Sequence, residues 1–476
     1  MSIFGRLRKH HARRVVVIGL GGTSYTFMQY LLREGLAPNF ARLLDEGDCV
    51  RIHSTHPPMT SVAWSTYMTG VNPARHGVFG YADRKAGTYE MAIATARSLR
   101  APTLWEILGQ AGKRLIVLNV PLTFPPRPIN GLLVGGFLSP SLSKATYPPE
   151  FLGRLERLGY RLDVDPWKSR RSKEAALQEV TDVLERRVRA MLDMVDNDPW
   201  DLLQCHIMET DRLHHFLWEE MEQGHAAYGP PFFAFYRRID EMLGQVRARL
   251  DKDTTLVVLS DYGTRTLKKE VYLNTWLQEC GWLRLAGEEP SLADITADSV
   301  AYSLDAGRVF LHVAGREPRG CVPPGAPVAP SAPEELPRAD AVPDDQAVGT
   351  KAVSYEALRG QIAAAASALR DPDDGTPLVA QVLRREEVYH GPFLEQAADL
   401  LLVPTPGYEL KGALGKPTLT YKGPEFVGAQ VYDDAMLYIS GQRIIPGDWG
   451  IVDVMPTVLH LMGVAVPEGL DGTVCV

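Results

Sequence analysis

Short apolar runs alternating with amphipathic stretches constrain this fold more than any other feature of the sequence. The first run stands in "RRVVVIGLGGTSYTF", where Val15–Leu20 is a strand that ends in Gly21-Gly22 before a helix begins. Further strands are expected at Arg114–Pro121, Trp200–Met208, Thr254–Gly263, Ala398–Pro404 and Ala435–Gly441. Helical periodicity lies between them, in "YTFMQYLLREGLAPNFARLLDEG" (broken at its Gly-Leu-Ala-Pro), "SKEAALQEVTDVLERRVRAMLDMV" and "IVDVMPTVLHLMG". Continuous apolar strands separated by helices point to a mostly parallel sheet buried on both faces. The fold class is therefore α/β, a three-layer sandwich with helices on both sides of the sheet. In such sheets chemistry collects at the carboxyl ends of the strands, yet the tip of the first strand carries glycine.

Net charge is −8 over 476 residues. That balance argues against a nucleic-acid polymer as partner, because phosphate backbones need a positive footprint. Five scattered cysteines, Cys49, Cys205, Cys280, Cys321 and Cys475, form no CxxC pair. A reducing cytoplasmic setting is expected from that usage. No stretch approaches the roughly 18 apolar residues of a membrane span, so no membrane partner is expected.

The chain is expected to divide into a basic tail (1–13), a core (14–285) with a cap-like insertion at about 121–200, an accessory segment (286–384) and a C-terminal part of the core (385–476). Within the accessory segment, 320–350 is Pro/Ala/Asp-rich and reads as a surface linker. The cap and the region after about residue 285 are expected to shape substrate access.

Three blocks carry the chemistry. They are "STHPPMTSVAWSTYMTGVNPARHGVFGY" (Ser54–Tyr81), "METDRLHHFLW" (Met208–Trp218) and "LSDYGTRTLKKEVYLNTWL" (Leu259–Leu277). Their order and spacing resemble the type I phosphodiesterase/nucleotide pyrophosphatase family of the alkaline phosphatase superfamily. Later stretches agree, among them "REEVYHGPFLEQAADLLLV" and "DVMPTVLHLMGVAVPEGLDG". The resemblance implies an alkaline-phosphatase-like fold and phosphoryl transfer to a threonine or serine assisted by two zinc-like ions. It places Thr60 as nucleophile and Asp211, His215 and Asp261 as metal ligands. Spaced by four, Asp211 and His215 share one face of a helix.

The sequence departs from that pattern at three ligand positions. Gly21 stands where the first-strand aspartate is implied, and Tyr262 where a histidine should follow Asp261. The late histidine is missing from "GAQVYDDAML", which offers Gln430 or Val431. A zinc site needs three or four protein ligands. At most one weakly held divalent ion (zinc, manganese or magnesium) is therefore expected, with Asp433 or Asp434 as substitute donors, and a conventional two-zinc centre is not. In its absence His215 or His214 would be the base beside Thr60.

Plain readings stand beside these. Thr60 suits a helix cap, Asp211 a helix-start acid, Asp261 an Asx-turn, and His76 and His390 satisfied loop side chains. The expected function is phosphoester hydrolysis or phosphoryl transfer through Thr60 on a small phosphorylated or nucleotide-like molecule, with altered, single-metal or weak activity. The alternatives are a binding or scaffold protein that has lost catalysis, and a metal-independent group-transfer enzyme.

Overall fold

The computed structural model describes residues 14–287, 289–325 and 354–476. The basic tail and most of the Pro/Ala-rich stretch lie outside the described residues. Eight strands form the central sheet, in the order Gly47–Ile52, Ala435–Ser440, Thr254–Leu259, Arg14–Leu20, Leu202–Ile207, Leu115–Leu118, Gly131–Val134, Thr146–Tyr147. Arg14–Leu20 is at its middle, parallel to Leu202–Ile207 on one side and to Thr254–Leu259 on the other. Ala435–Ser440 and Thr146–Tyr147 pair antiparallel with their neighbours.

The first strand shows why the sheet is buried on both faces. Its side chains alternate, as a pleated strand requires. Val16, Ile18 and Leu20 enter one apolar core with the helices Tyr25–Arg33, Lys173–Asn197, Glu209–Glu222 and Gly229–Arg249. Val15 and Val17 enter the other, with the helices Thr60–Thr69, Leu104–Gln110 and Val454–Leu461. Gly19 falls on this second face, where the Trp64 indole takes the space of a side chain. A Cβ at Gly19 would stand 2.5 Å from Trp64 Cη2 and 2.8 Å from His206 Nδ1. Gly19→Ala is therefore expected to destabilise the fold by about 1–3 kcal/mol through overpacking, read as a lower urea midpoint. A midpoint equal to wild type would mean that the indole moves aside freely.

Two parts of the chain differ from the reading of the sequence. The stretch 121–200, expected as a cap, supplies Gly131–Val134 and Thr146–Tyr147 to the central sheet. Its long helix Lys173–Asn197 packs Val180, Val183, Leu184 and Met191 into the first core. Leu400–Pro404, expected in the main sheet, joins Ala301–Leu304, Arg308–Leu311 and Val379–Arg384 in a separate four-stranded sheet. That sheet has an apolar core of its own, into which Ile362 and Leu358 of the helix Tyr355–Ser367 pack. A run as apolar as "DLLLVP" suits any buried strand, and periodicity alone does not say which sheet it joins. Among the described residues no helix is long and apolar enough to cross a membrane.

Candidate active site

The carboxyl ends of Arg14–Leu20, Leu202–Ile207 and Thr254–Leu259 meet at one place. After the first strand the chain turns sharply, with Gly22 at φ 65°, a left-handed conformation that glycine adopts without strain. This turn aims the Gly22 amide at Asp261, whose Oδ1 accepts it at 3.0 Å. Asp261 Oδ2 accepts the Trp64 indole N–H, also at 3.0 Å. Burial pushes the Asp261 carboxyl up to about 7, against the Gly22 hydrogen bond.

Thr60 is the first residue of its helix. The capping position belongs to Met59, and no side chain caps the first turn. The Thr60 hydroxyl instead lies 2.8 Å from the Tyr262 hydroxyl, which donates to Asp211 Oδ1 at 2.6 Å. A phenol has one proton. With that proton given to Asp211, Tyr262 accepts from Thr60, and the free lone pairs of Thr60 point away from the pair. Thr60, Asp211 and Tyr262 are all buried. Burial alone would raise the Asp211 carboxyl, but His215, Arg212 and the Tyr262 hydrogen bond together hold it below its ordinary value. For Tyr262, burial and the two carboxylates Asp211 and Asp261 raise the phenol well above its usual value, so it stays protonated.

His215 and His214 go different ways. His215 Nε2 stands 3.4 Å from Asp211 Oδ1, and its Nδ1 lies 3.2 Å from the Gly428 carbonyl. His214 is turned into the apolar layer, bonded to the Tyr236 hydroxyl at 2.5 Å and to Thr264 Oγ1 at 3.1 Å, and stacked on Tyr236. Burial lowers its pKa to about 3, which leaves it neutral and no base for Thr60. The substitute donors are also engaged elsewhere. Asp434 accepts from the Thr26 amide at 3.1 Å and from the Thr26 hydroxyl, with Arg51 at 3.4 Å. Asp433 is exposed beside Arg265. Gln430 pairs with Thr264 in a two-stranded ribbon. His76 and His390 are satisfied by Thr66 and Asp471 respectively.

Three neighbours escaped the sequence reading. Ser61 Oγ, next to Thr60, is buried without a partner. The Tyr81 phenol is raised by burial and by the nearby Asp211. His206 is fully buried, with neither ring nitrogen hydrogen-bonded. A lone histidine in "LLQCHIM" carries no signal that separates it from a core residue. Beside Met59 and Tyr81 opens a cavity of about 630 Å³, also lined by Tyr272, Arg308, Lys411 and Lys416.

A parallel-cored sheet with these blocks at its strand tips is the alkaline-phosphatase-like architecture. The chain belongs to the type I phosphodiesterase / nucleotide pyrophosphatase family, whose model matches residues 15–433. Its fold is similar to that of phosphonoacetate hydrolase from Sinorhizobium meliloti 1021 in complex with phosphonoacetate, at TM-score 0.63 and 17% identity over 96% of this chain and 97% of that one. It is also similar to human ectonucleotide pyrophosphatase / phosphodiesterase 5, at TM-score 0.54 and 12% identity over 97% of both chains. The murine counterpart, solved as an inactive threonine-to-alanine variant in complex with AMP, gives 0.53 and 13% over 96% and 97%. No curated protein matches the sequence.

Divalent-metal dependence is typical of the family, so the donor set can be tested against an ion pair. It does not fit. Among the described residues no group of three or more His, Cys, Asp or Glu side chains is arranged to hold a metal. Asp261 has both oxygens engaged, and the side Asp211 turns to Thr60 is occupied by a phenol.

Proposed function

We propose that the chain binds a small phosphorylated molecule at the Thr60 helix and transfers its phosphoryl group to the Thr60 hydroxyl. The observation that carries this reading is the hydrogen-bonded chain from Thr60 through Tyr262 to Asp211 at the uncapped start of a ten-residue helix. Free amides at a helix start favour phosphate oxygens, through their N–H groups and the helix dipole. The unpartnered Ser61 hydroxyl adds a donor beside them. The cavity beside Met59 and Tyr81, lined by Arg308, Lys411 and Lys416 together with Glu270 and Asp305, has the size for the remainder of a small substrate.

In the step itself Thr60 Oγ1 forms a bond to phosphorus while the bond to the leaving oxygen breaks, its electron pair departing with that oxygen. The Thr60 proton passes to Tyr262 as the Tyr262 proton passes to Asp211. Water then attacks the phosphothreonine, its spare proton goes to solvent, and the proton on Asp211 returns through Tyr262 to Thr60. Phosphoryl transfer proceeds through a loose transition state that asks more of positioning than of base strength. This suits an Asp211 held below its ordinary pKa, and it favours substrates with good leaving groups.

Para-nitrophenyl phosphodiesters and monoesters test the reading. Turnover is expected in wild type, and Thr60→Ala is expected to lower it by at least about 10²-fold. Turnover equal in Thr60→Ala and wild type would reject Thr60 as the nucleophile. The burial of Thr60, 2% exposed, favours a second reading, a cleft that binds without reaction. Tight binding of inorganic phosphate with no turnover of any ester would select it.

A further inference from the structure

Resting on the reading above, we propose that the Tyr262 hydroxyl has taken the place of a metal ion at this site, so that reaction at Thr60 needs no divalent cation. Four observations converge on it. The Tyr262 oxygen stands 2.8 Å from the Thr60 hydroxyl and 2.6 Å from Asp211 Oδ1. An ion bound to that carboxylate oxygen at about 2.0–2.2 Å would have to expel a phenol whose ring is locked in the core. Both oxygens of Asp261 are already engaged, accepting the Gly22 amide and the Trp64 indole.

The glycine at the first-strand tip completes the exclusion. A Cβ at Gly21 would lie 3.1 Å from the Asp211 Cβ and 3.3 Å from His206 Cε1. The volume that a ligating carboxylate would claim is already filled by Asp211 and by the His206 imidazole. His206 is therefore a second occupant of the vacated ligand space, and its unpaired nitrogens keep that space polar. Of the two carboxylates that could have compensated, Asp434 is tied to Thr26 and Asp433 is exposed beside Arg265. Loss of the ligands and filling of their places thus go together.

On this view Tyr262 both orients the Thr60 hydroxyl and relays its proton to Asp211. Before reaction it accepts a hydrogen bond from Thr60, so that the Thr60 lone pairs face the substrate, and because it gives its own proton to Asp211 as it takes that of Thr60, it neither contacts the phosphorus nor stands as a phenolate. The full-length chain, stripped with EDTA, is assayed on the para-nitrophenyl ester with and without added zinc, and zinc binding is measured by calorimetry. We expect the same kcat under both conditions and no zinc binding that depends on Asp211. Tyr262→Phe, which keeps the ring, is expected to lower kcat by about 10²-fold with KM and inorganic phosphate binding unchanged.

Stoichiometric zinc binding that is lost in Asp211→Ala, together with activity that requires it, would overturn the proposal. So would a Tyr262→Phe variant with wild-type kcat. Either result leaves Thr60 as nucleophile untouched. Absence of both turnover and Thr60 phosphorylation in wild type, with and without zinc, instead rejects the proposed function and this inference with it.

Discussion

Arg187→Leu is expected to cost about 3–5 kcal/mol of folding free energy, the largest loss from any single substitution considered. Arg187 and Glu209 form an ion pair with no solvent exposure of the guanidinium, their closest contact 2.7 Å. The guanidinium also donates to the Tyr160 hydroxyl at 2.5 Å and to the Leu162 carbonyl at 2.9 Å. Removing it strands a carboxylate in a dry core, which is far more costly than never having built the pair. The double variant Arg187→Leu/Glu209→Leu should accordingly be more stable than the single one. Glu209 opens the helix that presents Asp211 and His215, so the single variant should also lose activity before it unfolds globally. Urea titrations measure the first effect, and ester turnover at low urea the second. A single variant within 1 kcal/mol of wild type, roughly the scale of an exposed pair, would show that water reaches Glu209.

Acid should destabilise the protein well above the carboxylate range, and His76 is the cleanest contributor. Its Nδ1 accepts the Val78 amide at 3.2 Å, which leaves Nε2 to donate to Thr66 Oγ1 at 3.0 Å. A proton on Nδ1 would face the Val78 N–H head-on, in a fully buried site. Burial lowers the pKa to about 3, with Asp471 opposing, whereas the unfolded chain titrates near 6.5. Between these values the unfolded state binds the extra proton, so stability rises with pH. The contribution of His76 is complete above about pH 6.5 and falls by ~1.4 kcal/mol per pH unit below it, about 3 kcal/mol by pH 4. His76→Gln should flatten the stability–pH curve by that slope, whatever its baseline stability. Parallel curves for the two proteins would mean that His76 is protonated in the native state.

Periodicity sufficed for the strands of the central sheet, because an apolar run bounded by glycine or proline has few other homes in a chain of alternating helices. It failed where two sheets compete for similar strands, as with Leu400–Pro404. At the site, the sequence brought forward Thr60, Asp211 and Asp261, and the structure gathers them. It also flagged Tyr262 as a missing ligand. What it could not give was the use made of that tyrosine, since a hydroxyl between two partners is a matter of ångströms and not of spacing. Trp64, Tyr81 and His206 were illegible for a related reason. Each sits in an apolar context that suits core packing equally well. His214 and His215 are adjacent in sequence, yet one faces Asp211 and the other a layer of aromatic rings, as neighbours about 100° apart on a helix do.

The position of Ala435–Ser440 bears on the order in which the sheet can close. That strand lies between Gly47–Ile52 and Thr254–Leu259 and pairs with both. Until it pairs, Gly47–Ile52 and Thr254–Leu259 each present an open hydrogen-bonding edge able to recruit a foreign strand. Completion of the sheet thus waits on a strand far downstream of both its neighbours in the sequence, and a partly folded chain carries two adhesive edges until that strand is in place.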